Sequence, residues 1–204
     1  MGTTLGNKNS IEASWAKPMA ILAKGGVFSW KEASQTGISR RSFQRLLKEN
    51  TIRQIRRGYY VHANSKIPAE HLDFTIACKH FGPNAIIGGL TALFHYGLTD
   101  SAPRHVWVLV PTDRRRAPAL FRCIRTNIPA NIGVVDRGSF RITSIERTIV
   151  DAFKFSTKIG LGTAVKAART AVFEKQTTVA KISQQAEAMG LFKMIQKHWE
   201  AFTA

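Results

Sequence analysis

Apolar positions in the first sixty residues follow a helical period and then switch to a strand period. A helix is expected from about Ser14 to Lys24, with Pro18 tolerated near its first turn and Lys24-Gly25-Gly26 closing it. Val27 and Phe28 suit a short strand. Ser29 reads as the N-cap of a second helix running to about Gln35, and Glu32 three residues later completes a capping box. Thr36-Gly37 ends that helix, and Ser39 caps a third, with Ile38 and Phe43 placed as a hydrophobic staple. On this third helix Phe43, Leu46 and Leu47 share one face, while Arg41, Gln44, Arg45 and Lys48 share the opposite one. "TIRQIRRGYYV" then predicts two short strands about an Arg-Gly turn, with Arg56 and Arg57 at the tip. Helix, helix, basic helix and hairpin is the order of a winged helix-turn-helix.

"HANSKIP", residues 62–68, is polar, ends in proline and reads as a linker, which divides the chain into domains at 1–66 and 67–204. The second region opens with a helix from about Ala69 to Phe81, stopped by "GPN", and a short helix within "GGLTALFHYGL" that ends at Gly97. "HVWVLVP" has the continuous apolar run of a buried strand, and "ALFRCIRT" alternates as a strand does. "IGVVDRGSFRIT" suggests two strands about an Asp-Arg-Gly turn, and "SIERTIVDAFKF" an amphipathic helix after Ser144. From about residue 160 the pattern is helical, with two or three helices. The expected fold class is therefore α+β: a winged helix-turn-helix, then a mixed α/β domain with a helical tail.

Charge narrows the choice of partner. The chain carries 30 Lys and Arg against 13 Asp and Glu, a formal +17, and such a surface attracts polyanions. Residues 1–66 hold 12 basic and 3 acidic side chains, so the first third contributes +9 of that excess. The longest largely apolar stretch, "AIIGGLTALF", is about half of the roughly 20 residues that a spanning helix requires, so no membrane partner is expected. The start, "MGTTLGNKNS", lacks the apolar core of a secretory signal, which points to the cytoplasm and to reduced, buried thiols at Cys78 and Cys123.

The basic helix and hairpin are the strongest candidate for chemistry. In a major groove an arginine bonds both acceptors of a guanine edge and a glutamine pairs with adenine, functions open to Arg41, Gln44, Arg45 and Lys48. Arg53, Arg56 and Arg57 on the hairpin suit phosphates or a narrow minor groove. Most charged helix faces are merely solvated, but this one meets no acid before Glu49. The run Arg114, Arg115 and Arg116 must form an exposed loop that either adds phosphate contacts or simply solubilises. Enzymatic alternatives lack material. Asp100, Asp113, Asp136, Glu146 and Asp151 are scattered, and Asp151, four residues after Arg147, is better placed for a structural ion pair. His71, Cys78 and His80 make half a zinc site at best, His95 reads as a packing residue, and the glycines at 88–89 match no nucleotide-binding spacing. No cofactor and no metal are expected.

Three blocks together carry a family resemblance: "VFSWKEASQTGISRRSFQRLLKENTIRQIRRGYYVH", "GGLTALFHYGLTDSAPRHVWVLVP" and "RITSIERTIVDAF". In this order they resemble the AbiE-type (AbiEi family) antitoxins of bacterial type IV toxin-antitoxin systems, over about residues 18–175. The resemblance implies a non-enzymatic transcriptional autorepressor that binds operator inverted repeats in double-stranded DNA and counteracts a cognate nucleotidyltransferase toxin. It assigns Ser39, Arg40, Arg41, Arg45, Arg56, Arg57 and Gly58 to DNA contact and hairpin geometry, and Arg147, Thr148 and Asp151 to the framework of the second domain. The alternative is a protein-interaction module that binds and masks the toxin directly, with DNA binding secondary. Either a monomer or a weak dimer suits the resemblance.

Overall fold

The chain divides between apolar clusters that each belong to one part of it. The computed structural model describes Pro18, Ala20, Leu22 and residues 26–111 and 119–200. Most of the expected first helix, together with Arg114, Arg115 and Arg116, lies outside the described residues; Pro18, Ala20 and Leu22 are helical. Two compact units form, Met1–Leu72 and Asp73–Ala204.

In the first unit β1 (Phe28–Ser29) leads directly into α1 (Trp30–Gln35), and α2 (Arg40–Lys48) is followed by β2 (Ile52–Arg56) and β3 (Tyr59–His62). Ser29 caps α1 as expected: its hydroxyl accepts from Glu32 N, and the Glu32 carboxylate accepts from Ser29 N in return. The short strand lies one residue later than Val27-Phe28, because Phe28 and Ser29 pair with Tyr60 and Tyr59 of the hairpin. The sheet order is thus β1-β3-β2. Leu22, Phe28, Ala33, Ile38, Phe43, Leu46 and Ile52 form the core beneath it.

The second unit holds α3 (Leu72–Phe81), β4 (Ile86–Ile87), α4 (Gly89–His95), β5 (Val106–Val110), β6 (Phe121–Arg125), β7 (Val134–Asp136) and β8 (Arg141–Thr143). It continues with α5 (Ile145–Lys154), α6 (Ser156–Ile159), α7 (Leu161–Phe173), α8 (Val179–Ala188) and α9 (Phe192–Gln196). The helix expected from Ala69 begins instead as one 3-10 turn, Ala69–His71, before α3. The sheet runs β6-β5-β4-β8-β7, with β5/β6 and β4/β8 parallel and the other neighbours antiparallel. With all five residues of β5 buried, that strand lacks alternation, as strands covered on both faces do. Neither Cys78 nor Cys123 forms a disulfide, and both are half-buried rather than fully enclosed. Burial comes first among the causes that raise the Cys78 thiol above its ordinary pKa.

Two glycines let α4 sit on β5. A Cβ on Gly88 would lie 2.8 Å from Leu109 Cγ, and one on Gly89 2.6 Å from Trp107 Cε3. Gly89 also has φ +54. These residues form no nucleotide cradle; they are where a helix start meets a buried strand without side chains between.

α5 is the central helix, with every residue from Arg147 to Phe153 buried. Arg147 and Asp151 are both fully enclosed, with Nε 3.4 Å from Oδ2. The Arg147 guanidinium also donates to the carbonyls of Pro129 and Ile132. Ser144 caps this helix by accepting from Arg147 N.

Burial raises the Asp151 carboxyl to about 6, against the opposing pull of Arg147, and the same cause lowers the Arg147 guanidinium. The fold thus favours the neutral acid, so the folded chain holds this proton more tightly than the unfolded chain. Stability from this group is complete below the unfolded value near 4 and is lost as pH rises through about 6. Asp151→Asn should therefore remove a fall in unfolding free energy between pH 4.5 and 7.5 that urea titration detects in the wild type. Equal pH dependence in the two proteins would refute this account. The glycine argument predicts that Gly89→Ala destabilises more than Gly97→Ala. At Gly97, φ is +70 but a Cβ would meet open space, so only the left-handed backbone cost of about 1–2 kcal/mol applies. Equal urea midpoints would show that the Trp107 contact is unimportant.

Candidate nucleic-acid interface

Ser39 sets the start of α2 by accepting from Ser42 N, while Ile38 and Phe43 are both buried, as a staple requires. Phe43 and Leu46 fill the core and Leu47 packs at its edge. The opposite face carries Arg41, Gln44 and Lys48 exposed and Arg45 half-exposed, with Ser39 and Arg40 exposed at the helix entrance. The predicted division of the helix into an apolar and a basic face is the division observed.

Charge on that face is not uniform. Arg45 Nε lies 2.7 Å from Glu49 Oε1, an ion pair one turn apart at the C-terminal end. Both groups are more than a third exposed, so water screens the pair and its contribution to stability is small. Its structural effect is directional: the carboxylate draws Arg45 toward the end of the helix. The spacing of Arg45 and Glu49 was available in the sequence, but spacing alone does not distinguish a made pair from a solvated one.

The hairpin turns at Arg57-Gly58, where Gly58 adopts φ +83, a conformation that costs glycine little. Arg53, Arg56 and Arg57 are exposed. A bulge between Gln54 and Arg56 shifts the register, so Gln54 faces Tyr60 and Arg56 faces Tyr59. Gln54, exposed beside them, donates from Nε2 to the Arg56 carbonyl. It was missed by sequence reasoning, which saw only the arginines, and strand periodicity does not reveal a bulge.

Aromatic contacts join helix to hairpin. Tyr60 meets Phe43 edge-on at 4.8 Å between ring centroids, and Phe43 meets Trp30 at 4.9 Å. Tyr60 is thus half-buried against the core. Tyr59 takes the other side of β3, where burial, followed by the nearby Glu32 carboxylate, raises its phenol above the ordinary value.

The acids considered for catalysis have structural engagements. Asp136 Oδ1 accepts from Gly138 N in the β7–β8 turn, and Glu146 accepts from the Thr177 hydroxyl. Asp100 binds Lys166, which holds its carboxyl below the ordinary value, and Asp113 lies outside the described residues. Cys78 accepts from Arg141 N at 3.5 Å, and His95 packs against Phe74 and Tyr96. Among the described residues no group of three or more His, Cys, Asp or Glu is placed to hold a metal ion. No helix among them is long and apolar enough to cross a membrane.

Comparisons with known proteins bear on the fold and on residues 18–62. The fold is similar to the crystal structure of the RV2827C protein from Mycobacterium tuberculosis, with a TM-score of 0.54 over 89% of this chain and 77% of that one, at 12% sequence identity. At that identity the similarity concerns the fold alone. Among curated proteins, none matches the sequence. Residues 18–62, which contain α1, α2 and the hairpin, match the family described as "Transcriptional regulator, AbiEi antitoxin". Over those residues, less than a quarter of its length, the chain is similar to the AbiEi antitoxin family of transcriptional regulators.

Proposed function

We propose that the chain is a sequence-specific DNA-binding autorepressor and the antitoxin of a type IV toxin-antitoxin system. In this reading α2 enters the major groove of an operator inverted repeat and the hairpin acts as the wing. Arg41, Gln44, Arg45 and Lys48 face the base edges, and Ser39 and Arg40 meet the backbone at the helix entrance. Arg53, Arg56 and Arg57 hold phosphates, with Arg114, Arg115 and Arg116 as a further basic run in the sequence. Residues 1–66 form the reading domain and residues 67–204 the antitoxin domain, acting against a cognate nucleotidyltransferase toxin in the cytoplasm.

The observation that carries the reading is the exposed basic face of α2 lying opposite Phe43 and Leu46, with a basic hairpin tip on the same core. An apolar interface would bury such a face badly, because each unpaired charge costs its hydration. A polyanion compensates those charges.

Two measurements test it. If about six phosphates are neutralised, log affinity for the DNA upstream of the gene should fall against log salt with a slope of roughly −5. Affinity independent of salt would exclude the reading. In a footprint on the same DNA, changing Arg41, Arg45 and Arg57 together to alanine should abolish protection at wild-type saturating concentration. A footprint that survives the triple change removes these residues from the interface.

A further inference from the structure

The β5 and β6 strands run parallel, and where their carboxyl ends meet the start of β4 the second unit has a cleft of about 360 Å³. Crevices outside the carboxyl ends of parallel strands are where open α/β sheets commonly hold ligands, and the volume lies at the small end of the usual range. Ile86 and Val110, both almost fully buried, contribute its apolar floor, and Pro111 and Pro129 add ring surfaces. Asn84 and Asn127 line it as exposed side chains. Among the described residues neither amide has a hydrogen-bond partner.

The walls are held from behind. Arg141 donates from one end of its guanidinium to the carbonyl of Pro83, beside Asn84, and from the other to that of Ala130. Arg147 takes the carbonyls of Pro129 and Ile132. Thr126 accepts from Ile128 N and donates its own N–H to the Val110 carbonyl, which fixes the intervening Asn127. Two arginines thus hold the shape of a cleft whose described lining carries no charge.

That combination selects among ligands. A carboxylate or phosphate would find no cation in the described lining, and an aliphatic chain would leave both amides unpaired. A flat heterocycle with apolar faces and a rim of donors and acceptors matches ring surfaces flanked by amides, each of which both donates and accepts. We infer that the cleft lined by Asn84, Asn127, Pro111 and Pro129 binds a single unpaired nucleobase, carried either by a free nucleoside or by a single-stranded nucleic acid. The cleft belongs to the second unit and α2 and the hairpin to the first, and the inference does not rest on the proposed operator binding.

Amide NMR of the full chain tests it, read only at Thr126 and Ile128, which the variant below keeps, so that strand binding elsewhere does not register. The probes are adenosine, guanosine, cytidine and uridine at millimolar concentration, a short single-stranded oligonucleotide, and the same strand with abasic positions. Saturable shifts with a nucleoside support a free-nucleoside site, and shifts with the base-bearing strand alone support a base presented by a strand. In either case Asn84→Ala with Asn127→Ala should weaken binding by roughly tenfold or more, with the remaining spectrum unchanged because both side chains are exposed. The inference is overturned by no saturable shift with any base-bearing probe, by equal shifts from the abasic strand, or by unchanged binding in the double variant.

Discussion

The second unit is organised around an arginine that has no access to water. Arg147 lies on a helix whose residues 147–153 are all buried, so its guanidinium must find every partner inside the protein. It finds Asp151 one turn on and two carbonyls in the segment before β7. Desolvation of such a pair is expensive and its Coulombic attraction offsets that cost only in part, which is the direction in which both groups are displaced. What the pair contributes is position rather than net stability: it ties α5 to an irregular segment that has few hydrogen bonds of its own. Gly133 belongs to the same arrangement, because a Cβ there would lie 2.8 Å from Arg147 Cβ and 2.7 Å from the Gln185 amide. Arg147 Nη2, Asp151 Oδ1 and Gln185 Nε2 are buried without a protein partner among the described residues, so the seam between α5, α8 and this segment is polar and only partly satisfied.

In the first unit the corresponding constraint is aromatic. Under the proposed reading α2 and the hairpin would contact one nucleic acid and so would have to keep a constant relative position. The rings of Trp30, Phe43 and Tyr60 pack in succession across α1, α2 and β3, and β1 adds backbone pairing to the same strand. Phe43 therefore has two functions. It is the staple partner of Ile38 that begins α2, and it is the contact through which the basic face of α2 is held relative to the Arg57-Gly58 tip.

Local signals account for what was legible in the sequence. Ser29 with Glu32, Ser39 with Ile38 and Phe43, and Ser144 before α5 each specify a helix start within a few residues, and the structure places all three caps there. The Arg147–Asp151 pair was also readable, since a four-residue spacing on an apolar helix leaves few alternatives. β4 was not. Its two residues sit inside "AIIGGLTALF", where a short buried strand and the start of a helix are both continuously apolar. Only the approach of Gly88 and Gly89 to Leu109 and Trp107 separates the two elements, and that is a tertiary fact. The bulge at Gln54 and Arg56 and the clamp made by Arg141 were equally hidden, since both depend on which backbone groups come together across the fold.

The candidate site is asymmetric in a way that the charge count obscures. Helix α2 has no acid in its first turn and basic residues at both ends, yet the one acid at its end, Glu49, pairs with Arg45. Arg41 and Gln44 lie nearer the N-terminal end, the part of a reading helix that approaches base edges most closely in helix-turn-helix proteins. Arg45 is drawn the other way, with its charge offset by a neighbour. A uniformly basic face would bind any duplex through its phosphates, and affinity gained in that way does not distinguish sequences. Under the proposed reading, an acid at one end of the face would lower that indiscriminate attraction while leaving Arg41 and Gln44 unchanged, so Glu49 would help set the balance between base contacts and phosphate contacts.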